Sequence, residues 1–370
     1  MSRILLINSV CGTGSTGKIC GEIARRYEAE GHEVKIAYGR DGNVPDDCRK
    51  YAVRIGSGTG VKIHGVYTRV LDRHGLASAG ATKKFLRWAE SYDPEVLWLH
   101  NIHGYYINYE LLFDWIKSRP DMEVKWTLHD CWAFTGHCAY FSFAGCEKWK
   151  TGCGNCPQKN SYPESKLADR SAKNWLQKKE CFTGVKNMTL IAPSAWLAGL
   201  ASESFLKEYP VEVQRNRIDR DLFRPTPGDF REKQGIGHRF MVLGVANVWE
   251  KRKGLDDLVR LSQMLDEHFV LVLVGLSDEQ RKNLPENIIG LGRTDSPRQL
   301  AEIYTAADVF VNPTYEDNFP TVNLEAEACG TDVITYKACG APETIFREKS
   351  LAVECGAENL FAALQNYKES

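Results

Sequence analysis

The chain has 370 residues, 43% of them hydrophobic and 26% charged, with a formal net charge of −1. That length suits two domains, and either half is large enough to bury its own core. The near-neutral balance excludes a general pull toward nucleic acid or anionic lipid, so any basic site has to be local. No run approaches the ~18 apolar residues of a membrane span. The apolar "ILLINSV" after Arg3 is too short for a secretory leader. A cytoplasmic protein is expected, with peripheral contact at the inner face of a membrane as its only route to lipid.

In chain order, "RILLIN" reads as a buried strand. "STGKICGEIARRYEAEG" follows with helical spacing, Ile19, Ile23 and Tyr27 sharing a face, and Gly31 stops it. "EVKIAYG" is the next strand, which makes β-α-β and starts a parallel sheet. "PEVLWLHN", "EVKWTLHD" and "MTLIAPS" are further strands, the first two ending in His plus a polar residue, the third leading into a helix at Ser194. A second series runs "FMVLGVAN", "KGLDDLVRLSQML", "FVLVLVG", "NIIGLGRT", "RQLAEIYTAADVFVNPT", "NLEAEACG" and "TDVITYK". Between the two lies "VEVQRNRIDRDLFRPTPGD", polar and carrying two prolines, which reads as a hinge. The expected fold is α/β: two Rossmann-like αβα domains, 1–218 and 219–370, facing across a cleft, the first with a Cys-rich insertion near 131–160. In such sheets ligands bind beyond the carboxyl ends of the strands. The loops at those ends are therefore where chemistry is expected.

The loop "CGTGSTGK", Cys11 to Lys18, matches two phosphate motifs at once. As a P-loop it lacks the Ser or Thr after the lysine that holds Mg²⁺, since Ile19 stands there. As a dinucleotide fingerprint it lacks a well-placed acid, Asp41 lying a few residues too far on. The third reading is a glycine turn that packs a helix against a strand.

Residues 312–331 read "NPTYEDNFPTVNLEAEACGT", with Asp317 and Glu325 eight apart. This resembles the acid-x7-acid signature of retaining glycosyltransferases of the GT-B fold, family 4. "NRIDRDLFRP" resembles the family's hinge, with Arg217 where Gly is usual, and "VANVWEKRKGLDDLV" resembles its diphosphate-gripping segment. "LGRTDSPRQLAEIYTAADVFVNPT" resembles the stretch that frames the base. The chain departs from the pattern at Asp317, where Glu is usual unless Glu316 takes the role, and at Pro320, where Gly is usual. The upstream Arg is also missing, so Arg252 or Lys251 has to substitute.

The resemblance implies a nucleotide-sugar-dependent hexosyltransferase that needs no catalytic metal or other cofactor. It implies catalytic roles for His129, Asp317, Glu325, Lys253 and Arg252. Donor binding falls to Gly14, Ser15, Thr16, Gly17, Asn247, Arg293, Thr294, Glu316, Asn318, Phe319, Pro320 and Thr321. His100, His103 and Trp132 are the acceptor-side candidates. The charge logic agrees: the leaving diphosphate gains negative charge, and cations before a helix start near Gly254 stabilise it. As structural alternatives, Glu325 caps a helix, Asp317 serves a turn, and the histidines bond to backbone. Asp219-Arg220-Asp221 spells a metal-binding D-x-D of another glycosyltransferase fold, but it lies in the hinge and is rejected. The family's last helix, which crosses back to the first domain, corresponds to "AENLFAALQNYKES".

The implied partners are a UDP- or GDP-sugar donor and a glycan or lipid-linked saccharide acceptor in bacterial surface polysaccharide synthesis, with no nucleic acid. Segment 195–209 is amphipathic and is one candidate for membrane contact. The rivals are a non-catalytic GT-B-like binding module and an NAD(P)-dependent oxidoreductase.

Of twelve cysteines, Cys11, Cys20, Cys48, Cys131, Cys181, Cys329, Cys339 and Cys355 are scattered and read as small buried hydrophobes. Cys138, Cys146, Cys153 and Cys156 cluster as C-x7-C-x6-C-x2-C. A structural zinc site, disulfides and free thiols are all open for them. The aromatics among them, Phe134, Tyr140, Phe141, Phe143 and Trp149, are either sugar-stacking or core.

Overall fold

A computed structural model describes residues 1–40 and 42–369, without the side chain of Glu369. It falls into two compact units, Met1–Gln214 and Arg215–Ser370. The first holds a seven-stranded sheet of β1 (Arg3–Ile7), β2 (Glu33–Tyr38), β3 (Ala52–Arg54), β4 (Val96–Leu99), β5 (Glu123–Thr127), β6 (Met188–Ala192) and β7 (Val211–Val213). Their order is β3-β2-β1-β4-β5-β6-β7, and every pairing is parallel. Strands covered on both faces carry unbroken apolar runs, and Leu5, Leu6 and Ile7 in β1 are fully buried. The order reverses between β1 and β4.

The second unit repeats the plan with β8 (Phe240–Val245), β9 (Phe269–Val274), β10 (Ile288–Leu291), β11 (Val309–Asn312), β12 (Val333–Tyr336) and β13 (Leu351–Val353). The order is β10-β9-β8-β11-β12-β13, all parallel, with its reversal between β8 and β11. Two Rossmann-like sheets, one per unit, are thus present.

Several local expectations are corrected. The segment read as hinge begins as β7, whose Val211 pairs with Leu190; a three-residue strand gives too few residues for a period to show. Helix Gly14–Ala29 half-buries the Ile19, Ile23, Tyr27 face, with Ile23 and Tyr27 packed against the core. It buries Gly17, Cys20, Gly21 and Ala24, small residues that bring helix and sheet close together. A Cβ on Gly21 would stand 3.0 Å from Cys48 Sγ. The last helix, Ala357–Glu369, packs Leu360, Ala363 and Leu364 into the core of its own unit. In segment 195–209, Leu197, Ala201, Phe205, Leu206 and Tyr209 lie in the first unit's core, while Trp196 and Leu200 are half-buried against it. Among the described residues no helix is long and apolar enough to cross a membrane.

Candidate functional site

In the second unit the expected donor residues gather at the carboxyl edge of the sheet. After β8 the chain forms a 3-10 turn, Lys251–Lys253, and then helix Leu255–Met264. Gly254 joins them at φ 74°, and a Cβ there would lie 2.2 Å from the Pro313 carbonyl oxygen. Only glycine allows the loops after β8 and β11 to touch so closely. They are stitched together: Tyr315 N–H donates to Arg252 O at 2.8 Å, and Arg252 Nη1 donates to Glu316 O at 2.8 Å. Arg252 also meets Glu250 at 3.0 Å. Beneath the loops, Tyr315 and Tyr336 hydroxyls donate to Asp257 Oδ2 at 2.7 and 2.5 Å.

Lys253 forms an ion pair with Asp317, both side chains only about a fifth exposed. Burial pushes the Asp317 carboxyl up, but the Lys253 and Arg252 cations and the Phe319 N–H outweigh it and hold the group below the ordinary Asp value. Asp317 is therefore a carboxylate, and its loop is fixed by its own oxygen accepting from Phe319 N–H at 3.2 Å. Glu316, Asn318, Phe319 and Pro320 are buried. Helix Thr321–Ala328 begins immediately after Pro320, two residues before the expected Asn323, with no side-chain cap and no acid in its first turn. Its first N–H groups thus lack a capping side chain. Pro320 itself has no N–H, so it offers one backbone donor fewer than the family's glycine. Glu325 accepts from the Tyr304 hydroxyl at 3.2 Å, tying this helix to helix Pro297–Ala306. Asn247 and Arg293 are exposed at the ends of β8 and β10, joined by Arg293 Nη2 donating to Asn247 O at 3.4 Å, and Thr294 is half-buried beside them.

In the first unit, Gly14 and Ser15 open the helix after β1 and are exposed, Thr16 is half-buried, and Gly17 is buried under the loop. Gly12 N–H donates to Gly17 O at 3.1 Å. The organiser is Asn8, which the sequence did not flag: its amide donates to Val10 O and Thr16 Oγ1 and accepts from Asn101 N–H. It thereby locks the ends of β1 and β4 together. Asp41 lies outside the described residues.

The strand-end histidines form a connected cluster. His100 Nδ1 and His129 Nε2 are 2.9 Å apart, with the rings stacked at 5.2 Å. Burial pushes His129 down to about 4 and His100 well below the usual value, so both are neutral near pH 7. His103 Nε2 meets Asp130 Oδ2 at 3.1 Å while its Nδ1 meets the Tyr162 hydroxyl at 3.1 Å. Burial raises the Asp130 carboxyl, but His103 and the Trp132 N–H more than offset this. Trp132 is buried at 1% exposure, packed between His103, His74 and Tyr109, with Lys178 Nζ 3.5 Å from its ring centroid. It is a core residue that backs the histidines and presents no face to an acceptor. Lys178, driven by burial down to about 7, donates to Trp132 O and Thr135 O. Asp130, Tyr162 and Lys178 were missed; only Asp130 had a signal, its place in "LHD".

The D-x-D is a turn, Asp219 Oδ1 accepting from the N–H groups of Asp221 and Leu222. Phe134, Phe141 and Trp149 are core, while Tyr140 is half-buried and Phe143 exposed. Cys355 is exposed and Cys181 and Cys339 are half-buried, unlike the other scattered cysteines. Among the described residues no three or more His, Cys, Asp or Glu side chains form a ready metal shell. A cavity of about 640 Å³ lies among Asp121, Glu123, Asn187 and Glu208, at the opposite edge of the sheet from the histidines.

Two Rossmann-like units with polar clusters at their carboxyl edges define the GT-B glycosyltransferase fold. Sucrose-phosphate synthase from Thermosynechococcus elongatus is similar at TM-score 0.70 and 19% identity, over 100% of this chain and 90% of its own. Anabaena HepE in complex with UDP and glucose is similar at 0.64 and 15%, over 100% and 90%. The family model "Glycosyl transferases group 1" matches residues 228–369, most of the second unit. The chain is 28% identical over 267 residues to the putative colanic acid biosynthesis glycosyl transferase WcaC of Escherichia coli (strain K12), covering 68% of this chain. It spans only 62% of that relative's length.

Proposed function

We propose that the chain is a retaining glycosyltransferase that moves a hexose from a UDP- or GDP-sugar to a glycan or lipid-linked saccharide in surface polysaccharide biosynthesis, without a catalytic metal. The observation that carries this is the Arg252, Lys253 and Asp317 cluster at the sheet edge of a group 1 glycosyltransferase domain. Two cations held by backbone and carboxylate, beside a helix start without a side-chain cap, suit a diphosphate leaving group. They act most strongly as negative charge grows on the departing phosphate. In this reading Asp317 and Glu325 bind hydroxyls of the sugar and the ribose. The neutral His129, fixed by His100, orients a hydroxyl and carries no charge to compete with the cations. The acceptor hydroxyl attacks the anomeric carbon on the face that the diphosphate leaves and gives its proton to the departing phosphate; this same-face exchange yields retention without an enzyme nucleophile. Gly14 to Gly17 serve as a phosphate-facing loop, and Asn247, Arg293 and Thr294 border the base.

The test is a thermal-shift panel of UDP, GDP, dTDP, ATP and NAD(P), followed by product analysis with the matching sugar donor. A ligand at ~100 times its dissociation constant stabilises by about 2.7 kcal/mol. The expected result is a shift with one nucleoside diphosphate, lost in Lys253→Met, and transfer with the anomeric configuration kept. A shift without turnover of any donor would make the chain a binding module. A shift with NAD(P) or ATP alone would overturn the reading.

A further inference from the structure

We propose that the cysteine insertion of the first unit is a zinc site, with Cys138, Cys146, Cys153 and Cys156 as its ligands and His137 as the polar neighbour of their sulfurs. The argument starts from His137. Its side chain is fully buried, and Nδ1 lies 2.5 Å from Asp72 Oδ1, whose own side chain is 1% exposed. That carboxylate fixes the ring and leaves Nε2 at the far end. Nε2 is buried with no hydrogen-bond partner, a costly condition unless something is meant to sit beside it.

His137 lines a small cavity together with all four clustered cysteines. The cavity measures about 10 Å³, room for roughly one atom-sized occupant and not for a metabolite. Phe141 and Trp149 close it on the apolar side. Four soft sulfur donors around a one-atom space are a donor set for Zn²⁺ rather than for a hard cation. His137 Nε2, held by Asp72 from the other side of the ring, faces the same cavity as the sulfurs and is placed to hydrogen-bond one of them.

The C-x2-C turn is held from outside. Gly136 N–H donates to Cys153 Sγ at 3.2 Å, and Cys156 N–H donates to Asp169 Oδ2 at 2.7 Å. Lys148 Nζ donates to Gly154 O and Asn155 O, the two residues between the paired cysteines. All four cysteines are free thiols, with Cys138 and Cys156 hydrogen-bonded to each other. Among the described residues the four sulfurs do not yet form a ready metal shell. When Zn²⁺ enters, the four thiol protons leave to solvent and the sulfurs close to the ~2.3 Å of a Zn–S bond. Two disulfides could consume all four sulfurs but would leave His137 Nε2 without a partner.

The experiment uses the full chain, with metal content measured on purified protein and cobalt(II) exchanged for zinc. The expected result is one zinc per chain, released by a mercurial thiol reagent, and a cobalt spectrum with strong thiolate charge-transfer bands and the visible bands of tetrahedral cobalt. Cys153→Ser and Cys156→Ser abolish stoichiometric zinc, Cys355→Ser keeps it, and His137→Asn weakens retention about tenfold. If the cysteine variants do not fold, the cobalt spectrum of the unsubstituted chain decides. Metal-free protein whose cobalt form lacks thiolate bands, with the four thiols either freely reactive or joined as a disulfide by mass, would overturn the proposal.

Discussion

The two sheets share a doubly wound plan, yet their carboxyl edges are made of opposite materials. In the first unit the strand ends deliver histidines, buried among aromatic rings and kept neutral by that burial. In the second they deliver Arg252 and Lys253, held in place by backbone oxygens and a carboxylate. The same topology thus supports a hydrogen-bonding site and a charge-holding site. A neutral imidazole suits a hydroxyl, and fixed cations suit a phosphate.

The largest effect separates the two edges by function. Lys253→Met is expected to lower transfer by ~10²–10³-fold together with nucleotide affinity. His129→Asn is expected to lower kcat and leave the nucleotide dissociation constant unchanged. Kinetics and calorimetry on both variants would break the comparison if His129→Asn lost nucleotide binding and Lys253→Met kept it.

Next comes backbone space. Gly254→Ala puts a Cβ 2.2 Å from the Pro313 carbonyl in a left-handed conformation, and about 3 kcal/mol of stability should be lost in urea unfolding. Gly14→Ala has a similar φ of 62° with open space around it, and should cost about 1 kcal/mol.

Acid sharpens the contrast. His129 titrates near 4 when folded against 6.5 when free. The unfolded chain therefore binds more protons in that window, and the first unit loses stability as pH falls from 6.5 through 4, by up to about 3 kcal/mol from this residue. Asp317 is depressed instead. Its contribution is present above the ordinary Asp value and is lost only as pH falls through the lowered one. Two-probe unfolding between pH 7 and 4 should show the first unit weakening and the second holding; parallel loss in both would refute this.

The smallest effect is expected at Tyr304→Phe, which removes one hydrogen bond to Glu325 and should cost about 1 kcal/mol by denaturant midpoint. A cost above about 3 kcal/mol would show that Glu325 depends on Tyr304 far more than one hydrogen bond explains.

Legibility followed the range of the interactions. Long apolar runs such as "FVLVLVG" announced β9 because both faces of the strand are buried. The three-residue strands β3, β7 and β13 were too short to show a pattern. The string "NPTYEDNFPT" marked the loop at the end of β11, because its residues are neighbours in sequence. Asp257 beneath Tyr315 and Tyr336, Asn8 between β1 and β4, and Asp72 behind His137 were invisible, because each partner is far away along the chain. Trp132 shows the opposite error, since an aromatic next to a strand end reads the same whether it faces solvent or core.

By itself the sequence determined two βα series, the apolar strands, the loops at their carboxyl ends and the family resemblance of the second half. These rest on periodicity and on contiguous motifs, which local chain chemistry dictates. The tertiary structure alone decided which side chains meet: that Lys253 is neutralised by Asp317, that His100 and His129 form a neutral pair, and that helix Gly14–Ala29 packs on its glycines and its small side chains. Charge state and packing depend on burial and on partners brought in from distant positions, and a linear pattern does not contain them.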